Sequence, residues 1–294
     1  MKNYFLVKSG LVVSIISILA GAIVRATGSG DGCGSTWPKC NGNFIPNLDE
    51  ASEIIEFIHR SISGVLLVIT LILFVKSTKS PKVNLTRKIT LFLTFFVLLE
   101  AAIGAVIVLY EWVGMNSSLP RVIAVPIHLV NTFGLLGCYG ALFAVYKFNI
   151  KNLHGFLDFD FIKVTILFLL AGATGSIAAL SDVLFPSETF IQGLLSDFDT
   201  SSELLTRLRI FHPIVSLVLS LVLVTQSKKI HKNHGVDTKF LIYLVSASIL
   251  LGLTNVISNI VLPLSVLHLA MADILWITYI YVSIKKFEIN NTIN

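Results

Sequence analysis

The stretch Glu56-Phe57-Ile58-His59-Arg60 stands directly before an apolar run from Ile62 to Val75. A carboxylate, an imidazole and a guanidinium therefore lie where an apolar segment begins. Ionisable groups are costly at the entrance to a lipid-embedded helix, so each is a candidate functional residue. The alternative interpretation is that all three are interfacial side chains whose charged ends reach water.

The composition is that of a membrane protein. Of the 294 residues, 54% are hydrophobic and 13% are charged, whereas soluble domains carry about a quarter charged residues. Eight apolar segments are long enough to cross a bilayer as helices: residues 9–26, 54–75, 89–109, 121–146, 164–181, 207–226, 240–261 and 265–284. We therefore predict an all-α membrane protein with eight transmembrane helices in a lipid bilayer. The net charge of +5 does not require a nucleic-acid partner.

Basic and acidic residues are distributed unequally among the connecting segments. Residues 76–88, which include Lys82, hold five Lys or Arg and no acid, whereas residues 182–206 hold five acids. The positive-inside rule then places both termini in the cytoplasm and the loops 27–53 and 182–206 outside. The first span begins so early that it leaves no room for a transit peptide, which favours a bacterial cell membrane.

Short similarities relate the two halves of the chain. They pair residues 19–28 with 170–175, 56–59 with 209–212, and 127–129 with 267–269. We therefore predict two pseudo-repeated four-helix bundles in the same orientation, formed by residues 1–150 and 151–294.

Four of the seven histidines lie in even-numbered spans, within about two turns of the predicted outer surface: His59, His128, His212 and His268. Matching depth on alternate spans favours ligand binding over packing. The four imidazoles could hold one copper or zinc ion. They could instead act as two pairs, each holding a haem iron inside one four-helix half. The repeat favours two pairs, one in each half.

Charged residues near the histidines differ between the halves. Glu56 precedes His59 by three residues, so both side chains lie near one helix face, whereas Arg209 occupies the corresponding position in the second half. The pattern predicts one catalytic site with an acid and one electron-transfer site without an acid. Four boundary arginines are candidates for binding haem propionates or are ordinary interfacial residues: Arg25, Arg60, Arg121 and Arg209. The roles of Glu100 and Asp273 are left open.

Cys33 and Cys40 share the first predicted outer loop. That loop is expected on the oxidising side of the membrane, where disulfides persist. A bridge between them could be structural or redox-active. The second long loop has no cysteine, so a thiol relay would have to use the first loop alone.

Together these motifs resemble the haem A synthase family. The resemblance is carried by Glu56-x-x-His59-Arg60, by the glycine-rich turn at residues 21–30, by the two loop cysteines and by the histidines of the even-numbered spans. It covers essentially the whole chain. It implies oxidation of the C8 methyl group of haem O by dioxygen to a formyl group, which gives haem A for terminal oxidases.

The resemblance also implies roles for individual residues. His59 and His128 would hold the substrate haem, and His212 and His268 would ligate a haem b cofactor. Glu56 would be catalytic, either by stabilising charge at the reacting methyl or by moving protons. The implied partners are haem O synthase, the cytochrome oxidase assembly machinery and a membrane electron donor. Homo-oligomerisation is compatible with the sequence.

Two other functional classes stay open. A di-haem b-type membrane electron carrier explains the histidines equally well, but it does not require an acid beside only one pair. A metal transporter would need polar residues along a path through the spans, whereas the ionisable residues here gather near one face.

Overall fold

The computed structural model describes residues 2–79 and 85–293, and within these ranges the regular structure is helical. The α-helices are α1 (Lys2–Ala26), α2 (Ala51–Thr78), α3 (Leu85–Leu109), α4 (Leu119–Phe148), α5 (Phe159–Leu184), α6 (Phe190–Phe198), α7 (Leu204–Leu208), α8 (Phe211–His234), α9 (Lys239–Ile257) and α10 (Leu262–Ile293). A short 3₁₀ turn, Ser29–Asp31, follows α1. The described ranges contain no β-strand, only an isolated bridge between Cys40 and Asn43.

Eight helical stretches are long and apolar enough to cross a membrane. They are α1 to α5, α9, α10 and the stretch Leu204–His234, which contains α7 and α8. The predicted all-α fold with eight spans is therefore confirmed. The short helix α6, within the second long loop, was not predicted from the sequence. Lys82 lies outside the described residues, and the orientation of the termini stays a prediction.

Several helix ends follow from local sequence signals. The side chains of Asp158 and Thr189 accept hydrogen bonds from backbone N–H groups in the first turns of α5 and α6, as preferred N-cap residues do. Asn149 and Gly235 adopt the left-handed conformation directly after α4 and α8, which ends a helix and satisfies its last carbonyl groups.

Two clusters of buried side chains form most of the core. One lies among α1 to α4 and includes Leu93, Leu135 and Tyr139. The other lies among α4, α5, α8, α9 and α10 and includes Phe168 and Trp276. Because α4 contributes to both clusters, it joins the two parts of the molecule. The division into repeated halves at residue 150 stays a prediction.

Polar contacts between helices fix their relative rotation. The hydroxyls of Thr70 and Tyr139 lie 2.8 Å apart between α2 and α4. The indole N–H of Trp276 donates to the backbone carbonyl of Phe133 at 3.0 Å, which links α10 to α4. In membrane proteins such bonds contribute about 0.6 kcal/mol on average, so they specify the arrangement more than they stabilise it.

Many large apolar side chains point away from the protein. Phe92, Phe95, Leu221 and Leu250 are each more than half exposed. An aqueous surface rarely carries so much exposed apolar area, whereas hydrocarbon chains cover it without cost. These side chains therefore mark the lipid-facing surface of the spans.

Candidate functional site

The four membrane histidines lie at one end of the helix bundle. Each occupies the first three turns of an even-numbered span: His59 in α2, His128 in α4, His212 in the α7–α8 stretch and His268 in α10. The loops after α1 and α5 are at this same end, because both precede the spans that carry His59 and His212. The histidines and the two long loops therefore belong to one region.

Each imidazole lies against a glycine of the preceding span. A Cβ atom built on the glycine would meet the imidazole Cε1 at 2.9 Å for Gly21 and His59, 3.7 Å for Gly104 and His128, 2.9 Å for Gly175 and His212, and 3.0 Å for Gly252 and His268. Non-bonded carbon atoms pack best at about 3.5–4.0 Å. A methyl group at Gly21 or Gly175 would therefore require the ring to shift, one at Gly252 would make a tight contact, and one at Gly104 would make an ordinary contact.

His212 and His268 form a close pair, with ring centroids 6.2 Å apart and ring planes at 82°. Imidazole nitrogens bind metals at about 2.0–2.1 Å, and the ring centre lies about 1 Å further away, so two imidazoles sharing one metal have centres about 6 Å apart. Nδ1 of His212 lies 3.1 Å from the carbonyl oxygen of Ala171, which leaves Nε2 for a ligand. This pair has the spacing that two histidines would need to hold one metal centre, such as a haem iron.

His59 and His128 are also near one another. A positive charge on His128 would act on His59 electrostatically. Nδ1 of His59 is buried without a hydrogen-bond partner, and Nδ1 of His128 lies 3.2 Å from Oε1 of Glu100. The Glu100 carboxyl group beside Nδ1 leaves Nε2 of His128 for a ligand, so this pair is also compatible with a metal-centred group.

The structure does not bring all four histidines to one ion. Among the residues it describes, no three His, Cys, Asp or Glu side chains converge as a metal-ion site would require. The copper or zinc interpretation therefore lacks a suitable ligand set, and two separate pairs fit the geometry better.

Glu56 is a buried carboxyl group one turn before His59, with 2% of its surface exposed. Its Oε2 accepts a hydrogen bond from the backbone N–H of Cys33 at 2.8 Å. Its Oε1 accepts from Arg60 Nε at 3.1 Å and also pairs with Nη2. Both oxygens are thus held by donors, and the orientation of the carboxyl group is fixed.

The first long loop is fastened to the N-terminal part of α2. Cys33 and Cys40 form a disulfide, as predicted. Nη1 of Arg60 donates to the carbonyls of Thr36 and Lys39 at 2.8 and 2.7 Å. Glu53 accepts from the backbone N–H of Asn47 at 2.8 Å. The disulfide loop and the Glu56 carboxylate therefore form one hydrogen-bonded unit.

The second histidine pair also has acids nearby, contrary to the sequence-based expectation. Arg209, three residues before His212, pairs with Asp182 at 2.8 Å and with Asp197 at 2.6 Å. Asp182 comes from the end of α5 and Asp197 from α6, so comparison of aligned positions could not reveal them. The two sites differ in how their acids are arranged, because Arg209 occupies the position of Glu56 and is itself neutralised by two carboxylates.

The other boundary arginines have different environments. Nη1 of Arg121 donates to the carbonyls of Gly114 and Asn116 at 2.6 and 2.7 Å. Nε of Arg25 is buried without a hydrogen-bond partner. Arg60 and Arg209 already bind protein carboxylates. Nε of Arg121 is also buried without a partner, so Arg25 and Arg121 each have an unused donor, and the propionate role of all four arginines stays a prediction.

Two intramembrane acids that the sequence left without roles have contrasting surroundings. Glu100, in α3, contacts His128 and accepts hydrogen bonds from Asn131 and Thr132. Asp273 is fully buried in α10, and neither of its carboxyl oxygens has a hydrogen-bond partner. Both residues could be singled out in the sequence because acids are rare inside membrane spans. Only the structure shows that Glu100 lies beside a histidine of a candidate site.

The eight spans and the paired histidines at one end define a polytopic α-helical membrane protein with two candidate haem-ligating sites. A family model described as cytochrome oxidase assembly protein (COX15-CtaA) matches residues 3–280. The chain therefore belongs to this family, which confirms the family that the sequence motifs indicated.

Curated relatives match the chain to different extents. A protein named protoheme IX farnesyltransferase from Thermus thermophilus is 32% identical over 95% of this chain and 47% of its own length. A heme A synthase from Bacillus pumilus is 41% identical over 33% of this chain and 32% of its own length. One from Staphylococcus epidermidis is 35% identical over 35% of each chain. This chain thus spans about half the length of the Thermus relative.

Proposed function

We propose that this protein makes haem A by oxidising the C8 methyl group of haem O to a formyl group with dioxygen. Family membership and the similarity to proteins named heme A synthase support this function. The observation that carries the proposal is the buried, doubly held carboxylate of Glu56 one turn before His59. A simple electron carrier has no need of a carboxylate fixed in this way.

In this proposal the two histidine pairs have different occupants. His59 and His128 hold the substrate haem, and His212 and His268 hold a haem b cofactor. The 6.2 Å spacing of the second pair supports its assignment, and the carboxyl groups of Glu56 and Glu100 near the first pair support a reactive occupant there. When bound, haem supplies the oxygen and electron-transfer chemistry, while the protein controls position and field.

Glu56 acts on the reacting methyl group electrostatically. Both of its oxygens already accept hydrogen bonds, from Cys33 N–H and from Arg60. A carboxylate fixed before the reaction stabilises developing positive charge without reorganisation. The same two donors make Glu56 less suited to collecting and releasing protons. The geometry therefore favours charge stabilisation over proton transfer.

The remaining partners follow from the proposed reaction. The protein receives haem O from haem O synthase, takes electrons from a membrane donor and delivers haem A to the oxidase assembly machinery. It does so in a bacterial cell membrane, with both termini cytoplasmic and the haem sites near the outer face. The unequal distribution of basic and acidic loop residues supports this orientation.

The test is to supply the purified full-length protein with haem O, dioxygen and a reductant, and to identify the extracted haem by mass. A formyl-bearing haem is the expected product. Unchanged haem O together with bound haem b would overturn the synthase and support the di-haem carrier. A parallel reaction with haem b and a farnesyl donor examines the activity named for the Thermus relative, and a farnesylated product there would also overturn the proposal.

A further inference from the structure

Glu100 lies on α3 and faces the histidine of the neighbouring span. Its Oε1 is 3.2 Å from Nδ1 of His128. The glycine that contacts the same imidazole, Gly104, lies one turn further along α3. The carboxyl group and the glycine therefore meet the ring of His128 from the same helix.

The carboxyl group of Glu100 is held by two donors from α4. Asn131 Nδ2 lies 2.5 Å from Oε2, and Thr132 Oγ1 lies 2.5 Å from Oε1. Asn131 also donates to the carbonyl of Phe96 on α3 at 2.9 Å. The single hydroxyl proton of Thr132 is shared between Oε1 of Glu100 and the backbone carbonyl of His128, which lies 2.9 Å from Oγ1. Glu100 is thus fixed in place before any ligand binds.

The corresponding place beside His268 has no carboxylate. Gly252 contacts His268 as Gly104 contacts His128. The residue four positions before Gly252 is Ser248, whose hydroxyl has no hydrogen-bond partner. The third and fourth residues after His268 are Met271 and Ala272, which replace the Asn and Thr of the other site. The carboxylate and both of its donors are therefore specific to the His128 side.

We propose that Glu100 is a positioning residue that orients His128 as an iron ligand. Nδ1 of His128 is 3.2 Å from the carboxyl group but not aligned for a hydrogen bond, and a small rotation of the ring would align it. That hydrogen bond fixes the tautomer, leaves Nε2 free for the metal and makes the imidazole a stronger donor. The inference rests on the proposed haem site at His59 and His128.

This arrangement makes the two sites chemically unequal. A carboxylate behind a ligating imidazole favours the more highly charged ferric iron, because it increases the electron density that the ring donates. His268 lies instead beside the neutral backbone of Ser248. Haem held by His59 and His128 is therefore expected to have a lower reduction potential than it would have without Glu100.

The test uses the full-length protein with haem b as the probe and compares Glu100→Gln with a matched control, Ser248→Ala. Loss of a partner behind a metal ligand weakens binding by about 10–100-fold. Glu100→Gln should weaken ferric haem binding at the first pair about tenfold. If only the ferric form is affected, the midpoint potential of that haem rises by about 59 mV. Ser248→Ala should change neither quantity.

Asn131→Ala provides a second variant, which keeps the carboxylate but removes one of its donors. It should raise the potential in the same direction by a smaller amount. Unchanged affinity and potential in Glu100→Gln would overturn the proposal, as would a loss of thermal stability with the potential unaltered. These measurements do not depend on turnover. A protein that responds as expected but forms no formyl haem would disprove the synthase activity and leave the role of Glu100 standing.

Discussion

Both histidine pairs are positioned by contacts with glycines of the preceding spans, but the polar groups around the two pairs differ. In both, a histidine near the start of a span lies against a glycine of the preceding span. Around the first pair, Glu56 is held by Arg60 and by a disulfide loop. Around the second, Arg209 is neutralised by Asp182 and Asp197.

This difference separates binding from chemistry. The glycine and histidine contacts place imidazoles, and they recur at all four positions. The charged residues near them are not interchangeable, because one site presents a carboxylate paired with one arginine and the other an arginine paired with two carboxylates. We infer that, in the proposed function, the glycine–histidine contacts determine where a haem binds and the polar groups determine whether that haem reacts or transfers electrons.

The largest expected effect comes from removing a ligand of the second pair. Loss of a residue that supports a metal ligand weakens binding by about 10–100-fold. His212→Ala should weaken haem b binding by more than this, because an iron ligand itself is lost. The measurement is the haem b content of the purified protein. His231→Ala is the matched control, since His231 lies near the opposite end of the same helix. Equal haem contents in the two variants would show that the second pair is not the haem b site.

Glu56→Gln examines whether chemistry is confined to the first pair. The variant should keep its haem and lose formyl product by at least about 100-fold, a typical contribution of a positioned acid–base group or fixed charge. Product haem is quantified per bound haem b. Glu50→Gln, at an exposed position just before α2, is the control. Normal haem A formation by Glu56→Gln would remove this carboxylate from the reaction.

A smaller effect on haem binding should distinguish a tight glycine–histidine contact from the loose one at Gly104. In Gly175→Ala the new methyl group would lie 2.9 Å from the ring of His212 and push it from its position, whereas in Gly104→Ala the contact with His128 is an ordinary 3.7 Å. We expect about tenfold weaker haem b binding in Gly175→Ala, comparable to loss of a partner that orients a ligand. Gly104→Ala should bind nearly normally, as measured by haem titration. If both variants bind equally well, the glycines do not set the position of the rings.

The eight spans could be predicted because the length of an apolar run is a property of one segment alone. The grouping of the four histidines at one end could be predicted because each stands near the start of an even-numbered span. The disulfide followed from two cysteines in one loop. In each case the information was local or repeated along the chain.

The remaining features depend on how separate segments meet. The contact between Glu100 and His128 depends on the rotation of α3 against α4. The acids beside Arg209 come from the end of α5 and from α6, and their positions follow from a loop whose path the sequence does not specify. Each glycine contact depends on which faces of two helices are adjacent. Hydrophobic patterning does not determine these pairings.

The sharing of α4 by both core clusters has a consequence for how the protein is made. Phe133 of α4 accepts a hydrogen bond from Trp276, which follows it by 143 residues, and the same two rings pack together in the second cluster. When α4 leaves the ribosome, the surface that will bind α10 has no partner yet. That surface of α4 is covered only when α10 inserts, so the packing of the helix that carries His128 is completed by the last span of the chain.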